Sequence, residues 1–252
     1  MISLIGLVMI IVGGINFAFF TELPHPVGEE GGGFANALVG TGILVAMACA
    51  VGITWGVSVG LYLSEYAQGK TGASVRFVID ILASTPSIIV GLFVYETIVV
   101  PMKHFSALAG GLALGILMIP IIARSTEELL RLIPDHIREA GLALGLPRWK
   151  VILSIVLKGS IKAVTTGVML AVARAAGETA PLLFTAFGNN FWQRGLNQPI
   201  ASLPVQIYTY AISPYEDWHR QAWAGALVLI GFVFALNIFT RLLLPGVRRS
   251  HS

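Results

Sequence analysis

The sequence predicts an all-α integral membrane protein, a single transmembrane domain over residues 1–252 with six transmembrane helices and a cytoplasmic helical loop at 124–160, between helices four and five. Three observations carry that expectation. Apolar residues make up 56% of the chain and charged residues only 12%. Six apolar segments, roughly 1–20, 36–63, 77–100, 105–123, 161–188 and 222–244, approach or exceed the length of about twenty residues that crosses a hydrocarbon core. The basic residues are also segregated. With the amino terminus inside, the cytoplasmic segments hold Lys70, Arg76, Arg124, Arg131, Arg138, Arg148, Lys150, Lys158, Lys162, Arg241, Arg248 and Arg249, and the outer ones only Lys103, Arg194 and Arg220. That bias places both termini and the long loop on the cytoplasmic side of a multi-pass protein. No stretch between the spans is long enough for an independent soluble domain. The formal charge of +3 follows this topology and does not signal nucleic-acid binding.

Taken in order, the first segment lacks a basic n-region and an A-x-A-like site, so it reads as a retained helix and not a cleaved signal peptide; its abrupt start at Met1-Ile2 allows a longer native amino terminus. The loop after it, TELPHPVGEEGGGF, is polar, turn-rich and external, and His25 there lacks the partners of a metal site. Segment two carries Ala48, Gly52, Gly56 and Gly60 at four-residue spacing. Small residues on one helix face let a neighbouring backbone approach closely, the contact that drives helix association in lipid. Cys49, the single cysteine, lies in that span, so neither an intramolecular disulfide nor a cysteine metal cluster can form.

SEYAQGKT, residues 64–71, is a near-miss to a phosphate-binding P-loop. Ser64 stands at the first glycine position and a membrane helix precedes it where a strand belongs, so no nucleotide site is expected in this chain. In segment three, Arg76 and Asp80 are four apart and suited to pair. Ser84-Thr85-Pro86-Ser87 interrupts the same segment, with hydroxyls available for the backbone groups that Pro86 frees. Segment four contains Pro120, and Ser125 with Glu128 reads as a capping box for the first helix of the loop.

Segment five holds two charges. Arg174 lies close to the middle of 161–188, where a charge costs about 2.5–3.5 kcal/mol on insertion scales. Glu178 is one turn on, so the two can pair. Pro181 opposes the carbonyl of Gly177, so the helix should bend beside the pair at this Gly177–Pro181 hinge. Ala163, Gly167, Ala171 and Ala175 form a packing stripe on another face. Two readings stay open: an anion pathway in which Arg174 meets substrate while Glu178 holds or gates it, and a structural ion pair that sets helix register. The stretch 189–221 is rich in aromatics (Phe191, Trp192, Tyr208, Tyr210, Tyr215 and Trp218) and reads mostly as an interfacial belt. Arg220 at its end is either an interfacial anchor or a second anion contact.

The loop itself reads as helix, elbow, helix. Pro134 and Asp135 suit a helix start, Gly145 a left-handed helix end, and Pro147 a stop, after which Val151, Ile152, Ile155 and Val156 share one side. No HExxH, GxSxG, intramembrane Ser/His or paired-aspartate arrangement occurs, so no catalytic or metal site is expected.

Glu139-Ala140-Gly141, then Gly145, then Ile155-Val156-Leu157 resembles the EAA loop of ABC-importer permeases. Together with ARAAGETAPLLFTAFGNNFW, SLPVQIYTYAISPYEDW, TPSIIVGLFVY and HFSALAGGLALGILMIPIIARSTEELLRLIP, it resembles the PstA permeases of bacterial phosphate ABC importers, a type I family. The resemblance runs through nearly the whole chain. It implies a non-catalytic membrane subunit that imports phosphate by alternating access, beside a related PstC-like permease, a PstB-like ATPase dimer carrying ATP and Mg, and a PstS-like periplasmic phosphate-binding protein, in the bacterial inner membrane. It also implies that Glu139, Ala140, Gly141 and Gly145 belong to the coupling helix that docks on the ATPase. Gly141 stands where alanine is usual, and Lys158 where proline commonly follows, which removes a helix stop. Composition and spacing reach only a membrane subunit of an ATP-driven importer. A permease for another oxyanion, such as sulfate or molybdate, and an ATPase-independent channel or secondary transporter are the alternatives.

Overall fold

The computed structural model describes residues 15–26, 29, 31–67 and 69–243. Helices dominate, and among the described residues the sole β-feature is an isolated bridge between Pro24 and Gly32. The helices are α1 (Phe17–Thr21), α2 (Ala35–Glu65), α3 (Gly69–Ser84), α4 (Ser87–Val94), α5 (Ala107–Arg131), α6 (Asp135–Ala143), α7 (Arg148–Val151), α8 (Lys158–Ala176), α9 (Ala180–Thr185), α10 (Leu203–Ala211) and α11 (Glu216–Leu243). A π-helical turn, Tyr95–Val99, extends α4 into a last turn at Val100–Met102. Another, Ile152–Leu157, joins α7 to α8 without interruption.

The α2–α5 seam organises the rest. A methyl group placed on Gly52, Gly56 or Gly60 of α2 would lie 2.6, 2.7 or 2.5 Å from the Cβ of Met118, Ile122 or Thr126 of α5. In return, Gly111 and Gly115 of α5 receive Met47 and Val51 of α2. The expected small-residue stripe is therefore a reciprocal zipper: each glycine forms the hole for a side chain opposite, and the backbones approach closely. Contacts advance by four residues together on both helices, so α2 and α5 run parallel. Parallel neighbours require a return crossing between them, and α3 and α4 provide it.

That crossing is broken. The pair Gly69–Ser84 and Ser87–Met102 bends by 100° at Thr85-Pro86, and the hydroxyls of Ser84 and Thr85 both donate to the Ile81 carbonyl, at 3.0 and 2.7 Å. The expected continuous span 77–100 is thus two helices, because Pro86 cannot donate a backbone hydrogen bond and disfavours helical geometry in the residue before it. Four helices are long and apolar enough to cross a membrane on their own (Ala35–Glu65, Ala107–Arg131, Arg148–Ala176 and Glu216–Leu236), and the bent pair makes five. The sixth expected span, 1–20, lies outside the described residues over 1–14, so a count of six is not reached.

Further expectations are corrected here. Arg76 and Asp80 do not pair with each other. Both reach across to α5: Arg76 Nε donates to Glu127 at 2.7 Å, and Asp80 pairs with Arg124. Ser125 and Glu128 form no capping box, because α5 runs straight through them to Arg131; the first loop helix starts at Asp135, with Pro134 as its N-cap. Segment five, expected as one bent helix over 161–188, stops at Ala176 and resumes at Ala180. Of the aromatic stretch, Tyr210 is buried. It stacks on Trp218 at 4.2 Å and meets Phe34 edge-on at 5.0 Å, and Phe34 in turn stacks on Phe19. This chain of rings ties α1, α10 and α11 together, whereas Phe191, Trp192 and Tyr208 remain exposed as a belt would be.

Gly56→Leu should therefore lower detergent-phase stability by about 1–3 kcal/mol, the usual cost of overpacking. Gly42→Leu is the control, since a side chain there meets nothing within 4 Å. Thermal unfolding of the two purified variants checks the contrast; equal midpoints would remove the zipper's importance.

Candidate functional site: a charged cleft and a helical hairpin

α8 places Arg174 near its end because the helix behind it is anchored by small residues. Gly167 packs against Ser125 so tightly that no Cβ would fit. Ala171 and Ala175 are buried against α5, and Ala163 is half-buried. Arg174 consequently shares a cleft with Leu117, Pro120 and Ile121, in the middle of α5. Its Nε lies 3.4 Å from Glu178 Oε1. The pair is asymmetric: the Arg174 side chain is 62% exposed and that of Glu178 is 17% exposed. The guanidinium is the accessible member, and the carboxylate backs it from within.

The break that positions Glu178 has a clear cause. Gly177 caps α8, and Pro181 opens α9 near its first turn. Pro181 lies close against Gly91 of α4, where an added methyl would be 2.6 Å from the proline Cα. The broken segment after α8 and the broken crossing α3–α4 thus pack together.

Arg174 opens onto a cleft of about 300 Å³ lined also by Thr85, Arg124, Ser125 and Glu128. This cleft brings together residues that the spacing kept apart. Thr85 comes from the Pro86 break, and Arg124 reaches the cleft paired with Asp80 of α3. Sequence reasoning counted Arg124 only as a cytoplasmic charge and Ser125 as a cap; nothing local to either signals a cleft. Two arginines, two hydroxyls and flanking carboxylates can contact a small hydrophilic anion without holding a large uncompensated charge. Arg220 is exposed in the first turn of α11 and does not line this cleft.

The hairpin is built as its spacing predicts. α6 ends at Ala143, Gly145 turns the chain at φ +80°, and Pro147 is the N-cap of α7. Gly141 now has a reason. A Cβ there would lie 3.0 Å from both Ile155 Cδ1 and Val151 Cγ2, so glycine lets the two arms close on each other. The absent stop at Lys158 also has a visible consequence: the second arm runs unbroken from Arg148 to Ala176, so the hairpin is rigidly continuous with the helix that bears Arg174. Glu139 and Ala140 lie exposed on α6, and Leu144 and Trp149 flank the elbow, also exposed.

Spacing did not reveal how the hairpin is held. Arg138 of α6 donates to Glu65, the last residue of α2, from Nη2 at 2.7 Å and from Nε at 3.0 Å. Its other bonds go to the carbonyls of Leu130 and Ile133, at 2.9 and 2.6 Å, and to the exposed carboxylate of Asp135 at 3.3 Å. The hydrogen bond that the guanidinium donates to Glu65 holds it above its ordinary pKa. Beyond the elbow, Arg148 donates to the Glu65 carbonyl and lies 5.1 Å from the centre of the Tyr66 ring.

Residues 52–249, which include the cleft and the hairpin, match the family described as binding-protein-dependent transport system inner membrane component. The chain belongs to that family. It is accordingly a multi-pass membrane permease subunit. Its relatives include phosphate transport system permease proteins PstA. That of Yersinia pestis is 48% identical over 233 residues, 92% of this chain and 79% of the relative. That of Haemophilus influenzae is 48% identical over 232 residues, 92% of this chain and 82% of the relative. PstA 1 of Mycobacterium tuberculosis is 37% identical over 209 residues, 82% and 68% of the two chains. Among solved structures, the MetNI methionine ABC transporter in an inward-facing conformation superposes with a TM-score of 0.69 at 20% identity, covering 85% of this permease and 97% of that chain. An amino acid ABC transporter gives 0.56 at 14% identity, covering 84% and 90%. At such identities the likeness is one of fold alone.

Closure of the hairpin on Gly141 is testable. Gly141→Leu should force the arms apart and raise amide hydrogen exchange across 135–157, whereas Gly141→Ala should change it little. Equal protection in wild type and the leucine variant would refute the packing role.

Proposed function

We propose that this permease forms half of the translocation pathway of an ATP-driven importer of inorganic phosphate, with both termini and the hairpin in the cytoplasm. The observation that carries the reading is the exposed Arg174 guanidinium, held in the last turn of α8 over a largely buried carboxylate and opening on a polar cleft. The phosphate-transport relatives support the choice of substrate. The partners in this reading are a second, related permease that closes the other side of the cleft, a dimeric ABC ATPase below the hairpin, and a periplasmic phosphate-binding protein above. ATP and Mg belong to the ATPase; this chain contributes no catalytic group and binds no cofactor.

The mechanism is alternating access. Phosphate delivered from outside meets Arg174, which offers a planar pair of donors matched to two phosphate oxygens. Glu178 lowers the net positive charge that the anion meets. A site that conducts must bind well enough to admit the ion and weakly enough to release it, and a partly neutralised arginine satisfies both demands. ATP-driven closure of the ATPases is received at Glu139, Ala140, Gly141 and Gly145, on the hairpin. It passes along the continuous helix 148–176 to Arg174. Gly177 and Pro181 form the hinge beyond it. Arg220 serves in this reading as an anchor at the outer edge.

Proteoliposomes containing this chain, its sister permease, ATPase and binding protein test the reading, with labelled phosphate set against sulfate and molybdate. Uptake of phosphate that requires internal ATP is expected. Uptake of another oxyanion instead would replace the substrate, and uptake by this chain alone would overturn the importer reading. Arg174→Ala should lower phosphate uptake at least about tenfold, since a charge-assisted hydrogen bond contributes ~1.5–3 kcal/mol, with subunit assembly unchanged. Undiminished uptake in an assembled R174A complex would remove Arg174 from the pathway.

A further inference from the structure

Glu65 is the last residue of α2, yet its carboxylate is almost inaccessible, with a side-chain exposure of 4%. A carboxylate so enclosed requires a cation, and removing the cation would leave a costly unpaired charge. The cation comes from 73 residues along the chain, in α6 of the hairpin. Arg138, 18% exposed, reaches Glu65 through both Nε and Nη2. The second arm of the hairpin grips the same spot, through the bond of Arg148 to the Glu65 carbonyl and its position over Tyr66. One residue at the end of α2 is thus held from both sides of the Gly145 elbow.

The covalent connections make this arrangement consequential. The hairpin is joined by backbone to α5 and α8, and to α2 by none. The link to α5 passes through the short turn at 132–134, about which α6 could swing. Arg138 closes that turn by donating to Leu130 and Ile133, and in the same stroke fastens α6 to α2. Since α2 and α5 are already interlocked by their glycines, a hairpin clamped to both ends has no freedom to pivot against them.

We infer that Glu65, acting through Arg138, is a positioning residue for coupling: it makes the hairpin, α2 and α5 a single moving body, so that displacement of the hairpin reaches the substrate cleft and is not lost as rotation about the 132–134 turn. The inference rests on the reading of the chain as a permease of an ATP-driven importer. It assigns Glu65 a role apart from contact with substrate and apart from contact with the ATPase. The end of the α5 cleft wall nearest the hairpin gains from it, because Arg124, Ser125 and Glu128 lie on the α5 segment just before the clamp.

The test compares wild type with Glu65→Gln, a substitution that keeps shape and removes the charge, in the reconstituted four-protein complex. Phosphate uptake and ATP hydrolysis are measured on the same vesicles, with subunit ratios checked by gel. E65Q is expected to assemble and to hydrolyse ATP, while phosphate moved per ATP falls about tenfold or more, and Glu65→Asp should recover part of the loss. An unchanged ratio of transport to hydrolysis in assembled E65Q would overturn the inference, as would uptake and hydrolysis falling in equal proportion. Should E65Q fail to assemble, E65D and Arg148→Gln decide in the same assay: each must lower the ratio, and a wild-type ratio in both overturns the inference. A wild-type complex without ATP-driven phosphate uptake would refute the functional reading instead. The clamp is then judged on the purified permease, where E65Q should speed amide exchange across 135–143 about tenfold and unchanged exchange would overturn it.

Discussion

Close approach of two parallel helices is the constraint on which this permease depends. In lipid the apolar surface of a helix gains little by facing another helix in place of an acyl chain, so association must come from packing detail. α2 and α5 supply that detail through alternating holes and knobs, with Gly52, Gly56 and Gly60 receiving Met118, Ile122 and Thr126, and Gly111 and Gly115 receiving Met47 and Val51. Several charged pairs are placed relative to those two helices. Arg76 and Asp80 reach from α3 to Glu127 and Arg124 of α5, and Arg138 reaches from the hairpin to Glu65 of α2. Gly167 brings α8 against Ser125 and so carries Arg174 to the wall of the cleft.

The second theme is the use of broken helices. Pro86 and the Gly177–Pro181 region each end a helix within an apolar segment, and unpaired backbone in lipid is tolerated only where protein or a polar cavity covers it. The two breaks meet, with Gly91 packed on Pro181, and Thr85 and Arg174 share one cleft. A span that merely bent would leave Glu178 in a regular turn. Unwinding after Ala176 instead lets the carboxylate turn inward while the guanidinium faces the opening. The asymmetry of exposure within the pair follows from that local geometry.

Legibility in the sequence followed the range of the interaction. The membrane class, the glycine stripe, the hairpin with its left-handed Gly145 and the Arg174–Glu178 pair were all readable, because each is set by composition or by neighbours within one helical turn. The readings that failed were local inferences defeated by distant partners. Arg76 and Asp80 satisfy the spacing for a mutual pair, but Glu127 and Arg124 on α5 are better placed. Ser125 and Glu128 satisfy a capping pattern, yet α5 continues through them because its other face is packed to Arg131's own turn. Tyr210 resembles a belt aromatic in composition and is a core residue by its stacking on Trp218 and Phe34.

Charge distribution and hydropathy determine that this chain lies in a membrane and where the polar hairpin falls, since those follow from the transfer of short segments between water and lipid. They leave open which helices touch. The parallel seam, the shared cleft of Thr85, Arg124 and Arg174, and the clamp from Glu65 to Arg138 are fixed by tertiary packing, because each joins residues from different helices and no spacing within a segment encodes the choice of neighbour. Gly141 lies between the two cases. Sequence alone makes it a weak helix former, and the opposing Val151 and Ile155 turn that weakness into the close contact that holds the hairpin shut.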